Sequence, residues 1–209
     1  MLSDQLFHTD PLERCDALVQ LADLPAQPDL LPVIRALLTD DPDSRVRRAC
    51  PALLAAWQDT SPAAHAALLQ AIARYDSHQS LTAVVEAIVE LGFNDDVIVL
   101  ALAKEISSTE YLVPDLIADA LGNLANPHPQ VIEVLLWALH VSDSYYANDF
   151  IRASAAHALG QLGVAAPMVL RALHAMVVAF PPSSKEHQAA QQALVLLGDP
   201  AISAKSGGA

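Results

Sequence analysis

Hydrophobic residues recur along this chain in short blocks, and one block is repeated six times. Its pattern is Ala, an aliphatic residue, two variable residues, Leu and then Ala or Gly. It occupies residues 17–22, 87–92, 120–125, 158–163 and 193–198, with a degenerate copy at 53–58. Successive copies begin 36, 34, 33, 38 and 35 residues apart. A nearly constant period in this range is the sequence signature of a helical-repeat protein.

A second set of aliphatic residues lies between these copies, in residues 33–37, 68–72, 99–102, 135–139 and 169–173. In both sets apolar residues recur at i, i+3 and i+4, which is the spacing of one helix face. Each repeat is therefore predicted to be two helices, A and then B, joined by turns rich in Asp, Asn and Pro. The predicted bounds are 11–24 for a first B helix, then A/B pairs at 29–39/44–58, 62–75/78–92, 95–107/110–125, 128–141/149–163 and 166–179/184–198.

The predicted fold class is all-α, a right-handed α–α superhelix of about five helix pairs that opens on an N-terminal half repeat. The composition agrees, because 53% hydrophobic and 17% charged residues exclude a disordered chain. Ala and Leu dominate and favour helix. We expect a single domain over residues 1–200 and a disordered tail over residues 201–209.

The most regular B helix carries a recognisable motif. Residues 151–163 read Ile-Arg-x-x-Ala-Ala-x-Ala-Leu-Gly-x-Leu-Gly, and residues 46–50 and 113–122 follow the same pattern with substitutions. This motif resembles the second helix of the HEAT-like repeats of phycobilisome lyases, and the resemblance covers residues 11–198. It implies a HEAT-repeat solenoid in which Arg47 and Arg152 tie the turn within their own repeats. It implies little about function, because such repeats serve scaffolds, inhibitors, bilin lyases and a few DNA-repair enzymes.

The charge of the chain narrows the choice of partner. Lys and Arg total 11 against 24 Asp and Glu, giving a formal charge of −13. Nucleic acids and anionic membranes are bound mainly through Lys and Arg, so this balance argues against both. It favours a basic protein partner. The first residues do not resemble a signal peptide and the apolar segments are short, so we expect a cytoplasmic protein.

No residue pattern indicates catalysis or a bound cofactor. The eight histidines form no HxH or HExxH motif, and we expect them at the solvated surface. Cys15 and Cys50 form no CxxC pair, and Cys50 replaces a small packing residue, which predicts a buried, inert thiol. Neither a GxSxG elbow nor a glycine-rich phosphate loop occurs. We therefore predict a protein that is not an enzyme and has no metal or cofactor.

The candidate binding surface consists of the B-helix residues that are not predicted to pack against neighbouring helices. Residues four apart share a helix face, and stacked B helices bring equivalent positions side by side. In HEAT arrays these helices line the concave surface, so the carboxylates are expected to form an acidic patch there. The alternative is an ordinary solvated face. The predicted residues are Glu86, Glu90, Asp115, Asp119, Asn123, His157 and Gln161.

The longest repeat carries an insertion between its two helices, over residues 142–149. Tyr145 and Tyr146 lie in this polar segment. Aromatic residues supply contact area at protein interfaces, so both are predicted to bind the partner. The alternative is that one of them folds back onto the helices.

Together these features predict a non-catalytic protein–protein interaction module that holds a basic protein partner on a concave acidic face. The narrowest form of this hypothesis is an inhibitor or immunity-type protein that covers the basic surface of a nuclease toxin. A bilin lyase or a chaperone-like HEAT protein is the alternative reading. A HEAT-like DNA glycosylase should carry a basic concave face, and the charge here has the opposite sign.

The charge balance gives a first testable prediction, which is that nucleic acid does not bind at physiological salt. A net charge of −13 repels phosphate. A gel-shift titration with micromolar protein and duplex or single-stranded DNA should show no complex. A shifted band that weakens steeply as salt is raised would contradict this prediction.

Overall fold

The computed structural model describes residues 2–106, 114–141 and 148–200, and over them the chain forms α-helices joined by turns, without a β-strand. The predicted all-α class is confirmed. A 3₁₀ turn spans Pro28–Leu30. The helices of these residues are α1 Leu2–Gln5, α2 Pro11–Ala22, α3 Leu31–Asp40, α4 Ser44–Ala56, α5 Pro62–Arg74, α6 His78–Leu91, α7 Asp96–Ile106, α8 Pro114–Leu124, α9 Pro129–Ala138, α10 Asn148–Gln161, α11 Pro167–Ala179 and α12 Lys185–Leu196.

The helices from α2 to α12 follow the predicted A and B order, and α1 was not predicted. Most predicted ends run one to three residues too far. The reason is that the repeat pattern continues past the last helical turn. Leu162 is buried although α10 ends at Gln161, and Gly163 then takes the left-handed conformation with φ +70°. Glycine tolerates this conformation, so it ends the helix there.

Short polar side chains fix where several helices begin. The side chains of Asp10, Asp43, Ser61, Ser77 and Ser184 each accept a hydrogen bond from a backbone N–H in the first turn of the following helix. These N–H groups have no partner inside the helix, so the capping oxygen stabilises the end. The turns before these helices are thus set by local sequence.

The helices group into two compact units, Met1–Phe93 and Asn94–Ala209. In the first unit, α2, α4 and α6 form one layer, and α3 and α5 pack beside them. In the second unit, α8, α10 and α12 form the corresponding layer, with α7 and α9 packed against each other. Each unit therefore has a B layer made of B helices and an A layer made of A helices. The single domain expected over residues 1–200 stays a prediction.

Small residues let the B helices of the second unit approach closely. A Cβ atom added at Gly160 of α10 would lie 2.7 Å from the Cα atom of Ala193 in α12. One added at Gly122 of α8 would lie 2.8 Å from the Cα atom of Ala158 in α10. Both distances are shorter than van der Waals contact allows. The repeated Ala and Gly positions therefore set the separation between neighbouring B helices.

Arginines at the start of B helices tie the turns, as the resemblance implies. Arg47 donates to the backbone carbonyl of Asp41 at 2.6 Å and pairs with the carboxylate of Asp76 in the next repeat. Arg152 donates to the carbonyl of Val141 at 2.9 Å and to the carboxylate of Glu186 at 2.9 Å. Each arginine joins the turn of its own repeat to the following repeat.

Arg14 adds a contact of the same kind that was not predicted. Its Nε and Nη2 atoms donate to the two carboxylate oxygens of Asp41, each at 2.8 Å, and both side chains are buried. A two-point contact of this geometry is among the strongest hydrogen-bonded ion pairs. It fixes the turn before α4 from the side of α2.

The expectation that the histidines lie at the solvated surface is wrong for His187, which is only 7% exposed. His187 occupies the same repeat position as Arg47 and Arg152. Its Nδ1 atom lies 3.0 Å from the carbonyl oxygen of Phe180, and only a protonated Nδ1 can donate to that acceptor. The histidine therefore ties a turn in place of the arginine.

Cys50 lies fully buried in α4, as predicted. Its thiol donates to the carbonyl of Val46 at 3.2 Å. Burial raises the pKa of the thiol, because the charged thiolate is disfavoured away from water. Cys50 is therefore an uncharged packing residue at neutral pH.

The helices of the described residues were compared with the length and hydrophobicity that a membrane span requires. None of them reaches both.

The close approach of the B helices predicts the effect of Gly160→Ala. Alanine favours helix more than glycine does, yet its Cβ atom would collide with the backbone of α12. The steric clash with the backbone costs more than the higher helix propensity of alanine contributes. We therefore expect a net loss of about 1–2 kcal/mol in the free energy of unfolding.

Chemical denaturation monitored by circular dichroism measures this loss. Gln192→Ala, at an exposed position of α12, is the control and should leave stability unchanged or slightly raised. A Gly160→Ala protein more stable than the wild type would contradict the packing described here.

Candidate functional site

Five of the predicted binding residues come together in the second unit. Asp115, Asp119 and Asn123 follow one another at four-residue spacing on α8, and His157 and Gln161 do the same on α10. These two helices pack directly against each other. Asn123 is exposed, and the other four are half-buried. We call this set the α8–α10 polar surface.

A side-chain hydrogen bond links the two helices at one end of this surface. The Nε2 atom of Gln161 donates to the Oδ1 atom of Asn123 at 3.2 Å. The other amide atom, Gln161 Oε1, is buried and has no hydrogen-bond partner. A buried acceptor without a donor costs free energy, because it has lost its contact with water.

Glycine at position 122 makes room for this amide. A Cβ atom built on Gly122 would collide with Gln161 Oε1. Any other residue at 122 would therefore displace the glutamine side chain. The same glycine that lets α8 and α10 approach also holds the unpaired acceptor over the α8 backbone.

Asp119 carries the unusual electrostatics of the surface. Its pKa is raised, first because partial burial disfavours the ionised carboxylate and further because Asp115 is also negative. The neighbouring Ser154 hydroxyl and His157 lower the pKa of Asp119 without cancelling the effect. The ionised form of Asp119 is thus incompletely compensated by its neighbours.

The remaining predicted residues lie elsewhere. Glu86 and Glu90 belong to α6 in the first unit, where both are exposed and one helical turn apart. Tyr145 and Tyr146 lie outside the described residues. The single acidic patch of Glu86, Glu90, Asp115 and Asp119 stays a prediction.

Sequence reasoning missed two contributors to the α8–α10 polar surface. Ser154, three residues before His157 on α10, has a hydroxyl that favours the charged form of Asp119. The place of Ser154 in the repeat can be read from the sequence, but the repeat pattern does not distinguish this serine from other polar residues. Gly122 belongs to the repeated motif, which gives it no role in a polar surface.

The described residues do not bring together the side chains that a metal ion needs. Within residues 2–106, 114–141 and 148–200 there is no group of three or more His, Cys, Asp or Glu side chains able to hold a metal ion. Ser154 and His157 both lie beside Asp119, and both favour the charged form of its carboxylate. The chemistry that this surface offers is hydrogen bonding and charge pairing.

Comparison with known proteins identifies the fold. No family model and no curated protein matches the sequence. A triple mutant of the karyopherin Kap121p matches 94% of this chain with a TM-score of 0.64 and 17% identity. Kap121p bound to Nup53p matches 99% with a TM-score of 0.63 and 14% identity, and an engineered protein matches 93% with a TM-score of 0.54 and 21% identity.

These matches show that the chain has the fold of HEAT-type helical repeats, which confirms the predicted solenoid class. The chain spans about a quarter of the length of the karyopherins, since it covers 25% and 26% of them, and 56% of the engineered protein. At these identities the likeness concerns the fold, and function is argued from the residues of the surface itself.

The raised pKa of Asp119 predicts a pH-dependent effect of Asp119→Asn. A carboxyl group whose pKa is higher in the folded than in the unfolded state contributes stability at low pH and loses it as pH rises through the folded pKa. Asparagine keeps the oxygen acceptor for Ser154 and has no charge. The variant should therefore melt at a higher temperature than the wild type at pH 7.

Thermal melts from pH 3 to pH 7 measure this difference, which should vanish below the ordinary aspartate pKa of 3.8. Glu90→Gln removes an exposed carboxylate from α6 and should leave the melting temperature unchanged. If Asp119→Asn melts below the wild type at pH 7, burial does not oppose the charge of Asp119.

Proposed function

We propose that this chain is a protein-binding repeat module and that its α8–α10 polar surface receives a basic side chain of a protein partner. The observation that carries the proposal is Asp119, a half-buried carboxylate whose pKa is raised by burial and by Asp115. A cation from a partner would offset both effects. Groups with perturbed pKa values at a surface are candidates for function for this reason.

The neighbouring Asn123 supports arginine as the bound side chain. Asp119 and the exposed Asn123 each offer an oxygen acceptor, one charged and one neutral, one helical turn apart on α8. A guanidinium group has five N–H donors in a planar arrangement and can serve more than one acceptor. A lysine would supply charge without matching this spread of acceptors.

The fold and the net charge agree with this proposal. Helical repeats present continuous surfaces to partners. The karyopherin with the same fold has been crystallised with a protein, Nup53p. The formal charge of −13 would speed the approach of a cationic partner. The narrower form, an inhibitor that covers a basic surface such as that of a nuclease, rests on this charge.

Glu86 and Glu90 have a different role in the proposal. Both are exposed on α6, where water and salt screen their charges. They would act by steering, which changes the association rate. The α8–α10 polar surface would instead hold the bound side chain, which changes the dissociation rate.

Paired neutralisations test the proposal with a matched change in net charge. Asp115→Asn with Asp119→Asn, and Glu86→Gln with Glu90→Gln, each remove two negative charges. Wild type and both double variants are used to capture partners from the native cell. We expect one basic protein to be lost with the α8 variant and kept with the α6 variant.

Surface plasmon resonance with that protein then gives both rates. The α8 variant should bind at least about tenfold more weakly, mainly through faster dissociation. The α6 variant should associate more slowly at low salt only. Equal loss of binding in both variants would assign the effect to net charge, and full retention by the α8 variant would refute the proposed surface.

A further inference from the structure

The first unit contains a cavity of about 330 Å³, which shares no residue with the α8–α10 polar surface. It is bounded by α3, α4, α5 and α6, near the turns that join A helices to B helices. Its volume suits a small organic molecule. A cavity at this place was not expected from the repeat pattern.

Three of the chain's 11 basic residues line this cavity, namely Arg47, Arg48 and Arg74. Arg47 is held by the carbonyl of Asp41 and the carboxylate of Asp76. Arg48 contacts the side-chain oxygen of Gln79. Over the described ranges, neither Arg48 nor Arg74 has a carboxylate within ion-pair distance. Two guanidinium groups thus remain uncompensated in a strongly acidic protein.

The carboxylates that also line the cavity are largely engaged by other groups. Asp41 is bound at two points by Arg14. Asp76 accepts hydrogen bonds from Arg47 and from the hydroxyl of Ser80. Asp40 accepts from the hydroxyl of its neighbour in α3. Arg14 does not line the cavity, but its charge neutralises Asp41. The three lining arginines then face two remaining aspartates, Asp40 and Asp76, which leaves one net positive charge at the cavity.

The rest of the lining is partly apolar, with Leu38, Ala71 and Val84 among its side chains. An entering ligand therefore meets two kinds of surface. Guanidinium groups bind carboxylate and phosphate oxygens through paired N–H donors. The apolar side chains favour a short hydrocarbon part.

We propose that this cavity binds a small organic anion, with one or two carboxylate or phosphate groups on a short carbon skeleton. Arg48 and Arg74 would bind the anionic group, and Arg47 would add a third guanidinium. The single net positive charge excludes a polyanion as the preferred ligand. The proposal does not depend on the protein-binding function, because no residue is shared between the two sites.

Glutarate is the first probe, with neutral glutaramide of the same skeleton as its matched control. Binding is followed by isothermal titration calorimetry and by amide NMR shifts at constant ionic strength. We expect saturable binding of glutarate in the millimolar range or tighter and none of glutaramide. Phenyl phosphate and inorganic phosphate then separate preference for the anionic group from preference for the carbon skeleton.

Variants identify the groups responsible. Arg48→Gln and Arg74→Gln should each weaken glutarate binding about fivefold, as expected for partly exposed charge pairs, and together should abolish it. Asp76→Asn keeps the acceptor for Ser80 but frees Arg47, so it should strengthen binding. Arg171→Gln removes an exposed arginine of α11 and should change nothing.

Two results would overturn the proposal. One is that neither glutarate, phenyl phosphate nor inorganic phosphate binds saturably in the millimolar range. The other is that the Arg48→Gln/Arg74→Gln protein, folded by circular dichroism, binds as tightly as the wild type. Captured protein partners would be unaffected in either case, so this failure is distinguishable from failure of the protein-binding function.

Discussion

The close approach of neighbouring B helices is the constraint on which the second unit depends. Gly122 and Gly160 have no room for a Cβ atom, because the backbones of Ala158 and Ala193 lie against them. Helices this close exclude larger residues from the seam, so the apolar repeat positions are fixed. The positions beside the seam are only partly buried and can carry polar side chains. The α8–α10 polar surface consists of such positions.

That surface holds groups that folding alone does not favour. Partial burial opposes the charge of Asp119, and Gln161 Oε1 lies buried without a donor. An asparagine at 119 would avoid the first cost, and an apolar residue at 161 would avoid the second. Proteins often retain such local penalties at functional sites, where they are offset when the ligand binds. A cationic protein partner is the ligand that would offset the cost at Asp119.

The sequence was sufficient for the helices, because their period and spacing are local properties. It also placed His157 beside Asp119 and Gln161 beside Asn123, since equivalent positions of stacked repeats are neighbours. It could not predict that His187 would be buried, because that depends on a carbonyl seven residues away. Nor could it predict the contact of Arg14 with Asp41, which crosses from one B helix to a distant turn.

Whether Asp119 receives a cationic side chain can be measured through its own pKa, with and without a cationic ligand. Carbon-13 NMR of the side-chain carboxyl group across a pH titration reports this pKa for one residue. We expect a pKa above the ordinary 3.8 in the protein alone, and a fall once an arginine-rich peptide or the captured partner is bound. A pKa that is ordinary in the free protein, or unchanged on binding, would contradict the proposed role of Asp119 in binding.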